Sequence, residues 1–423
     1  MESRNRKLLH SSTMDDDRIS ILPEELLCRI LSFLPTKNAV ATSVLAKKWK
    51  SLWRSLPTLD IDDCNISKEE HARFIESVNA FISSRLRFSR HRHRHHHQPI
   101  RKFRLRFSWL YCKDYTNAAA CVKSAVNHLV KHRLVEHLDI ALPLPWIFLP
   151  RRGVTANKTH MSPLIFTFTN LVVLKLEGLR FTSFSSVDFP FLKTLYLQDL
   201  LFENPQCLAK VLSGCPVLED FKEVRIFIDG EVDLIEREYF TLPKLVRANV
   251  SGRYVFLLKA VKNVQFLHIN EIDDRILYKV KSTNLSVFPM FHNLTHIELS
   301  FSCIKRENWL EAVELLKYCP QLQVLVINQP YIIGKIEGQL RDWQCPQSVP
   351  EYILLRLKRC YLNEYRGTRA EFQFARYIMQ NGIFLENMAI CCSYEVNQEG
   401  KLKNLQELSL CTRKSAACNL SFK

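Results

Sequence analysis

One six-residue phrase returns along this chain: apolar-x-x-apolar-x-apolar. It stands at Leu56/Leu59/Ile61, Ile100/Phe103/Leu105, Val135/Leu138/Ile140, Leu171/Leu174/Leu176 and Leu192/Leu195/Leu197. It returns at Leu245/Ala248/Val250, Val264/Leu267/Ile269, Leu294/Ile297/Leu299 and Leu322/Leu325/Ile327. Leu357/Cys360/Leu362, Leu385/Met388/Ile390 and Leu405/Leu408/Leu410 close the series. One copy, at Leu218/Phe221, is imperfect, because Glu223 takes the third apolar place. The last two apolar positions alternate with outward ones, the period of a strand buried on one face. Successive copies mostly start roughly 20–36 residues apart, the spacing of repeat arrays. In such arrays each unit buries its apolar face only against its neighbours. A generic α/β sheet would not repeat one template so often. The chain therefore reads as a solenoid, with strands stacked in parallel and leucines turned inward.

The phrase is the strand of a leucine-rich repeat. Helical spacing falls between copies, at Ser67–Leu86, Thr116–His132, Asn204–Ser213, Glu307–Tyr318 and Thr368–Gln380. Two of these helices run into Gly-Cys-Pro-Val-Leu (214–218) and Tyr-Cys-Pro-Gln-Leu (318–322), where a proline ends the helix and the next leucine opens a strand. The expected class is α/β: an irregular leucine-rich-repeat solenoid, its parallel sheet backed by helices on the convex side.

Ahead of the repeats, Leu22–Trp53 reads as three short helices. Pro23 suits a first helical position, and Glu24 and Glu25 complement the helix dipole. Leu26, Leu27, Ile30, Leu31 and Leu34 recur at steps of three and four, and Pro35 ends the helix. Thr36 is placed to cap a second helix through Val44. Leu45, Trp49, Leu52 and Trp53 space a third. About thirty residues cannot build a self-sufficient core. Two readings of this stretch stand: the helical start of a larger domain, or a docking module whose surplus apolar face belongs to a partner.

The wording LPEELLCRILSFLPTKNAVATSVLAKKWKSLW, led in by Asp15–Ile19, resembles the F-box of a large plant family. The C-P-x-L junctions are similar to the repeats that follow the F-box in that family. Residues 345–390 resemble its FBD domain, through Val349-Pro350-Glu351, Leu357-Lys358, Tyr365-Arg366-Gly367, Ala375-x-Tyr377-Ile378 and Leu385-x-x-Met388-x-Ile390. Leu362 stands where that family commonly has an aromatic residue. The resemblance implies that the first module binds a Skp-family adaptor and, through it, the cullin and RING subunits of a ubiquitin ligase. Leu22, Pro23, Leu26, Leu27, Ile30, Leu31, Leu34 and Trp49 are the expected adaptor face. Leu52, Trp53 and the Leu56–Ile61 strand are expected to weld the module to the solenoid. The expected divisions are a disordered 1–16, an F-box at 17–54, a solenoid over 55–344, an FBD region at 345–391, and a last repeat strand with a tail at 392–423.

Within each strand, the residue between the last two apolar positions faces away from the core. Arg104, Asp139, Lys175, Tyr196, Asn249, His268, Glu298, Val326, Tyr361, Ala389 and Ser409 form that row. It is chemically mixed, which suits a specific protein segment better than a polyanion. Arg104, Lys175, Tyr196, Asn249, His268 and Glu298 are the expected substrate contacts. Many of the row are simply solvated.

Formal net charge is +16, partly concentrated over Arg85–Arg106. This segment with Phe88, Phe103, Phe107 and Trp109 admits a nucleic-acid reading. Yet Phe103, Leu105 and Phe107 alternate with Lys102, Arg104 and Arg106, as in a half-buried strand with a basic outer face. The run SRHRHRHHHQ at 89–98 has histidines enough for a metal, but its low complexity fits a solvated loop inserted between a helix and a strand. The 14 cysteines include no C-x-x-C pair and read as reduced, mostly buried thiols of the cytosol or nucleus. No signal peptide or membrane-length apolar run is expected. Ten glycines form no phosphate-cradling loop, and neither G-x-S-x-G nor H-E-x-x-H occurs. The expectation is a non-catalytic protein without a metal or cofactor. A repeat scaffold outside any ligase, or a nucleic-acid binder using 85–106, is the alternative.

Overall fold

The computed structural model describes residues 19, 21–50, 52–87, 99–107, 115–130, 134–142, 161, 163–228, 241–252, 254–272, 289–301, 313, 315–329, 349 and 355–423. The expected N-terminal segment 1–16, the run 89–98, Trp109, much of the helix at 307–318 and most of 345–354 lie outside the described residues.

Among the described residues, thirteen strands form one sheet in strict chain order. They are β1 (Thr58–Asp62), β2 (Lys102–Arg106), β3 (His137–Ala141), β4 (Val173–Glu177), β5 (Thr194–Gln198), β6 (Asp220–Val224) and β7 (Arg247–Ser251). The sheet continues through β8 (Phe266–Ile272), β9 (His296–Phe301), β10 (Val324–Asn328), β11 (Arg359–Tyr365), β12 (Asn387–Cys392) and β13 (Asn419–Phe422). Every neighbouring pair is parallel. The first inward position runs unbroken from Leu59 through Phe103, Leu138, Leu174 and Leu195 to Met388 and Leu420, while the register shifts further along two strands, between Ile269 and Ile272 of β8 and between Leu362 and Tyr365 of β11. Helices fill the other side of these apolar rows: α3 (His71–Arg87), α4 (Tyr115–Leu129), α5 (Pro205–Ser213), α6 (Val255–Ala260), α7 (Arg369–Asn381) and α8 (Gln398–Ser409). A single apolar core runs from Leu59 to Cys418.

Local chemistry sets the helix starts. The Asn204 side chain accepts the Cys207 N–H with Pro205 at the first helical position, and Thr368 and Glu371 form a reciprocal capping box on α7. Asp63 and His71 form a buried contact of 2.8 Å at the entry to α3.

Three details differ from the sequence expectation. Leu405, Leu408 and Leu410 are no strand: the first two lie in α8, Ser409 ends that helix, and the closing strand is β13. The apolar-x-x-apolar step is shared by a helix, and Asn397 caps this one by accepting the Gly400 N–H. The imperfect copy at Leu218 is a full strand, β6, despite Glu223. A second, three-stranded sheet of short pieces, Arg180–Phe181, Leu201–Phe202 and Phe227–Ile228, was not anticipated. It is reached by the same left-handed turn on consecutive strands, at Gly178 (φ 68°), Asp199 (φ 52°) and Arg225 (φ 53°). A side chain in that region costs on the order of 1 kcal/mol or more. Here Arg225 forks onto Asp199 with N–O distances of 2.6 and 2.7 Å, joining the two turns.

Candidate functional site

The N-terminal module is built from α1 (Glu24–Leu31), α2 (Thr36–Ala41) and three short 3-10 turns at Thr42–Val44, Lys47–Lys50 and Leu52–Ser55. Pro23 is the N-cap of α1, with ψ 148°, one place earlier than expected. Thr36 does not cap α2 but begins it, after Pro35. Its hydroxyl instead accepts the Asp60 N–H at 2.6 Å, tying the module to β1. Trp53 stacks on Phe81 of α3 with centroids 4.8 Å apart. Lys48 donates to the Leu22 carbonyl at 2.6 Å, closing the last turns onto the start of α1.

The expected adaptor residues divide into two sets. Leu27 (0% exposed), Leu31 and Trp49 are buried in the module's own cluster with Cys28, Ala39, Leu52, Trp53 and Leu56. They brace the surface from behind instead of forming it. The reason is size: a module this small uses one stripe of α1 to hold its own turns together. Leu26, Ile30 and Leu34 face outward, Pro23 is exposed and Leu22 is half-buried. Sequence spacing missed their outward companions Ile19, Ile21, Phe33 (80% exposed), Val44 and Leu45. Because α1 stops at Leu31, Phe33 lies in the turn beyond it, off the helical stripe that spacing detects. Val44 and Leu45 project because α2 gives way to a 3-10 turn.

The second surface is the sheet face opposite the helices. Register aligns Arg104, Asp139, Lys175, Tyr196, Lys222, Asn249, His268, Glu298, Val326, Tyr361 and Ala389 in one row, extended by Asp60 at one end and Ser421 at the other. The expected contacts Arg104, Lys175, Tyr196, Asn249, His268 and Glu298 all lie in it. Lys222 was missed because Glu223 hid its strand, and Ser421, not Ser409, holds the last place.

Charge on this face is largely settled internally at one end. Arg104 bridges Asp60 (2.6 Å) and Asp62 (3.0 Å), and Arg106 forks onto Asp139 at 3.1 and 2.9 Å. The basic outer face expected of β2 is therefore compensated at these two arginines. Lys175 lies over the Tyr196 ring, 4.9 Å from its centroid, and Tyr196 donates to Asp220 at 3.1 Å. Burial pushes the Tyr196 phenol up, helped by Asp220. Burial likewise raises the Glu177 carboxyl, against the pull of Arg106.

Further along, the row becomes a hydrogen-bonded amide and imidazole network. Asn270 donates to Asn249 Oδ1, which leaves Asn249 Nδ2 to donate to His268 Nδ1 at 3.0 Å. His268 Nε2 then donates to Ser300 Oγ at 2.8 Å. Asn328 donates to Ser300 Oγ (3.1 Å) and Glu298 Oε1 (2.6 Å), and Asn363 donates to Asn328 at 2.7 Å. This arrangement uses the neutral imidazole. Burial holds His268 below the usual histidine range, opposed by Glu298, and does the same to His296. The network fixes five adjacent strands' side chains in place, a rigid polar floor able to read a complementary segment.

Among the described residues no group of three or more His, Cys, Asp or Glu side chains is arranged to hold a metal ion. Burial pushes the Cys121, Cys215 and Cys319 thiols up to about 12. Such thiols are poor nucleophiles and behave as core residues.

Three family matches fall in order along the chain. Residues 19–60 match the F-box domain, 192–216 a leucine-rich repeat, and 344–390 the FBD. The chain carries an F-box, leucine-rich repeats and an FBD. A similar Arabidopsis thaliana protein, whose name gives it all three features, is 29% identical over 96% of this chain and 97% of its own length. Two FBD-associated F-box proteins of the same plant are 26% identical over 96% of this chain and 100% of their own, and 25% identical over 96% and 97%. The thirteen-stranded parallel sheet is the repeat array of this F-box/FBD chain. The FBD match covers β11, α7 and the start of β12, so the FBD continues the same sheet. No helix among the described residues is long and apolar enough to cross a membrane.

Proposed function

We propose that this chain is the substrate-recognition subunit of a Skp–cullin–F-box ubiquitin ligase. The reading rests above all on one observation: the F-box leaves Leu26, Ile30, Phe33, Leu34, Val44 and Leu45 outward while its own cluster is already complete. An apolar surface of this kind on a small module marks an interface. A stable one buries on the order of 1,600 Å². The Skp-family adaptor is the proposed occupant, with the cullin and RING subunits beyond it. The chain contributes no catalytic group. It holds a target protein on the repeats so that a target lysine meets the charged conjugating enzyme at high effective concentration. The working compartment is the cytosol or the nucleus.

Copurification of the intact chain with a Skp-family adaptor tests this. Ile30→Asp places an unpaired charge in the apolar contact, and adaptor capture is expected to be lost while the fold is kept. Equal capture of wild type and Ile30→Asp, or no capture of wild type where a control F-box binds, would sink the proposal.

A further inference from the structure

The solenoid carries a second concave feature away from the sheet face. In the repeat phrase, the residues just before and just after the first apolar position point outward at the N-terminal ends of the strands. From β2 to β7 these residues line an open groove of about 840 Å³. Its floor is apolar: Leu134, Val172, Phe191 and Val217. Phe191 is 58% and Leu134 51% exposed, on loops that have no need to present large apolar groups to water.

Two further observations select the occupant. The first is the backbone. The Arg101, Glu136, Val172, Lys193 and Glu219 carbonyls along this rim each accept two N–H groups from the next strand entry, at 2.7–3.1 Å. The rim is saturated, and an extended peptide lying here would leave its own N–H and C=O groups unmatched over apolar side chains. A helix satisfies its backbone internally and needs only side-chain contacts. The second is charge. Arg101 pairs with Glu136 at 2.7 Å and Lys193 with Glu219 at 2.9 Å, closing two of the groove's three cations. Lys244, at the β7 end, pairs with no carboxylate among the described residues.

We propose that this rim groove docks an amphipathic helix of the target protein, its apolar stripe on Leu134, Phe191 and Val217 and an acidic residue at Lys244. The proposal rests on the target-binding reading above and names the chemistry of the segment bound. The dimensions agree. Five strand steps of about 4.8 Å span about 24 Å, the length of about 16 helical residues at 1.5 Å each. Leu134 and Phe191 are two steps apart, about 10 Å, matching helical positions i and i+7.

A displayed library of peptides about 16 residues long, selected against the intact protein, is the probe. Selected peptides are expected to share apolar residues at i, i+3 or i+4, and i+7, with Asp or Glu near one end. Phe191→Asp and Leu134→Asp are each expected to weaken them by about 30-fold or more, the effect of losing an interface anchor. Lys244→Glu is expected to shift selection toward Lys or Arg at the acidic position. All three side chains are exposed, so unchanged thermal melts are expected to accompany these losses. Selected peptides with alternating strand-like patterns, or peptides indifferent to both aspartate variants, overturn the proposal. So does self-association of the intact chain that Phe191→Asp abolishes, which would assign the groove to a second copy. Ile30→Asp separates the two readings: it removes adaptor capture and leaves peptide binding intact. Failure of the wild type to select such peptides while it captures adaptor refutes the groove, and failure of the wild type to capture adaptor while it binds the peptides refutes the ligase.

Discussion

Glu223 offers the sharpest test of how this solenoid is held together. It sits where the repeat phrase calls for leucine and is 0% exposed. Yet its two oxygens are both used: Oε1 accepts the Ile226 N–H at 3.0 Å, and Oε2 accepts the Ser251 N–H. The β6–β7 pairing ends at Lys222 and Asn249, one residue short of Glu223. The carboxylate therefore continues the ladder where the backbone stops, and also ties down the turn carrying Arg225. Glu223→Gln keeps the volume but leaves one acceptor oxygen, so one buried N–H faces an amide NH₂. An unsatisfied buried donor costs about 1–3 kcal/mol. Local opening at Ser251 or Ile226 should become about 5- to 150-fold more frequent, at about 1.4 kcal/mol per tenfold. Amide hydrogen exchange resolved to these residues measures it directly, which matters because a long repeat array need not unfold in one step. Glu223→Leu restores the repeat phrase, and the same argument predicts that it loses protection at both amides. If either variant keeps wild-type protection at Ser251 and Ile226, the carboxylate is not what closes the gap.

Other expected outcomes follow from the same geometry. Leu27→Asp should unfold the F-box itself, whereas Ile30→Asp should leave its melting unchanged and remove adaptor capture; circular dichroism with a capture assay separates the two. His268 and His296 are held below the usual histidine range of about 6.5, so their neutral forms belong to the fold. Their contribution is complete above the unfolded value and is lost as pH falls through the folded one. Protonating His268 Nδ1 sets it against the Asn249 NH₂, so melting temperature should drop from neutral to mildly acidic pH, and His268→Gln should flatten that dependence. Gly367 sits at φ 78°, and an added Cβ would run into the Asn404 side chain. Gly367→Ala should cost about 1–3 kcal/mol through the strained backbone, read by denaturant titration near α8.

The inward rows were legible because burial on one face imposes a period of two that few other structures repeat. Stacking in register followed from the shared phrase. The misreadings also have physical causes. Leu405 and Leu408 are three apart, a step shared by strands and helices, and only the Asn397 cap and the helix-forming run between them decide the matter. β13 was invisible because the leading apolar place of its phrase, Ala417/Leu420/Phe422, holds only a small alanine. The F-box stripe was legible, but not its division: spacing cannot tell Leu27 from Leu26 when both lie near the stripe, and only the finished cluster shows which one the module keeps for itself. Phe33, Val44 and Leu45 depend on where helices stop, a matter of one residue. The rim groove is spread over loops far apart in the chain and assembles only when the strands align.

The Thr36–Asp60 hydrogen bond and the Trp53–Phe81 stack have a mechanical meaning. They tie the F-box to the start of the solenoid at two points, and the ladder beyond advances by about 4.8 Å per strand. On the proposed ligase reading, cargo held at a given strand sits at a set offset from the F-box, and inserting or deleting a repeat would move it in whole increments. On that reading, any continuous adjustment of a target lysine toward the transfer chemistry would come from the target's own flexibility or from the ligase arm beyond the adaptor, since the strand ladder itself offers only discrete steps.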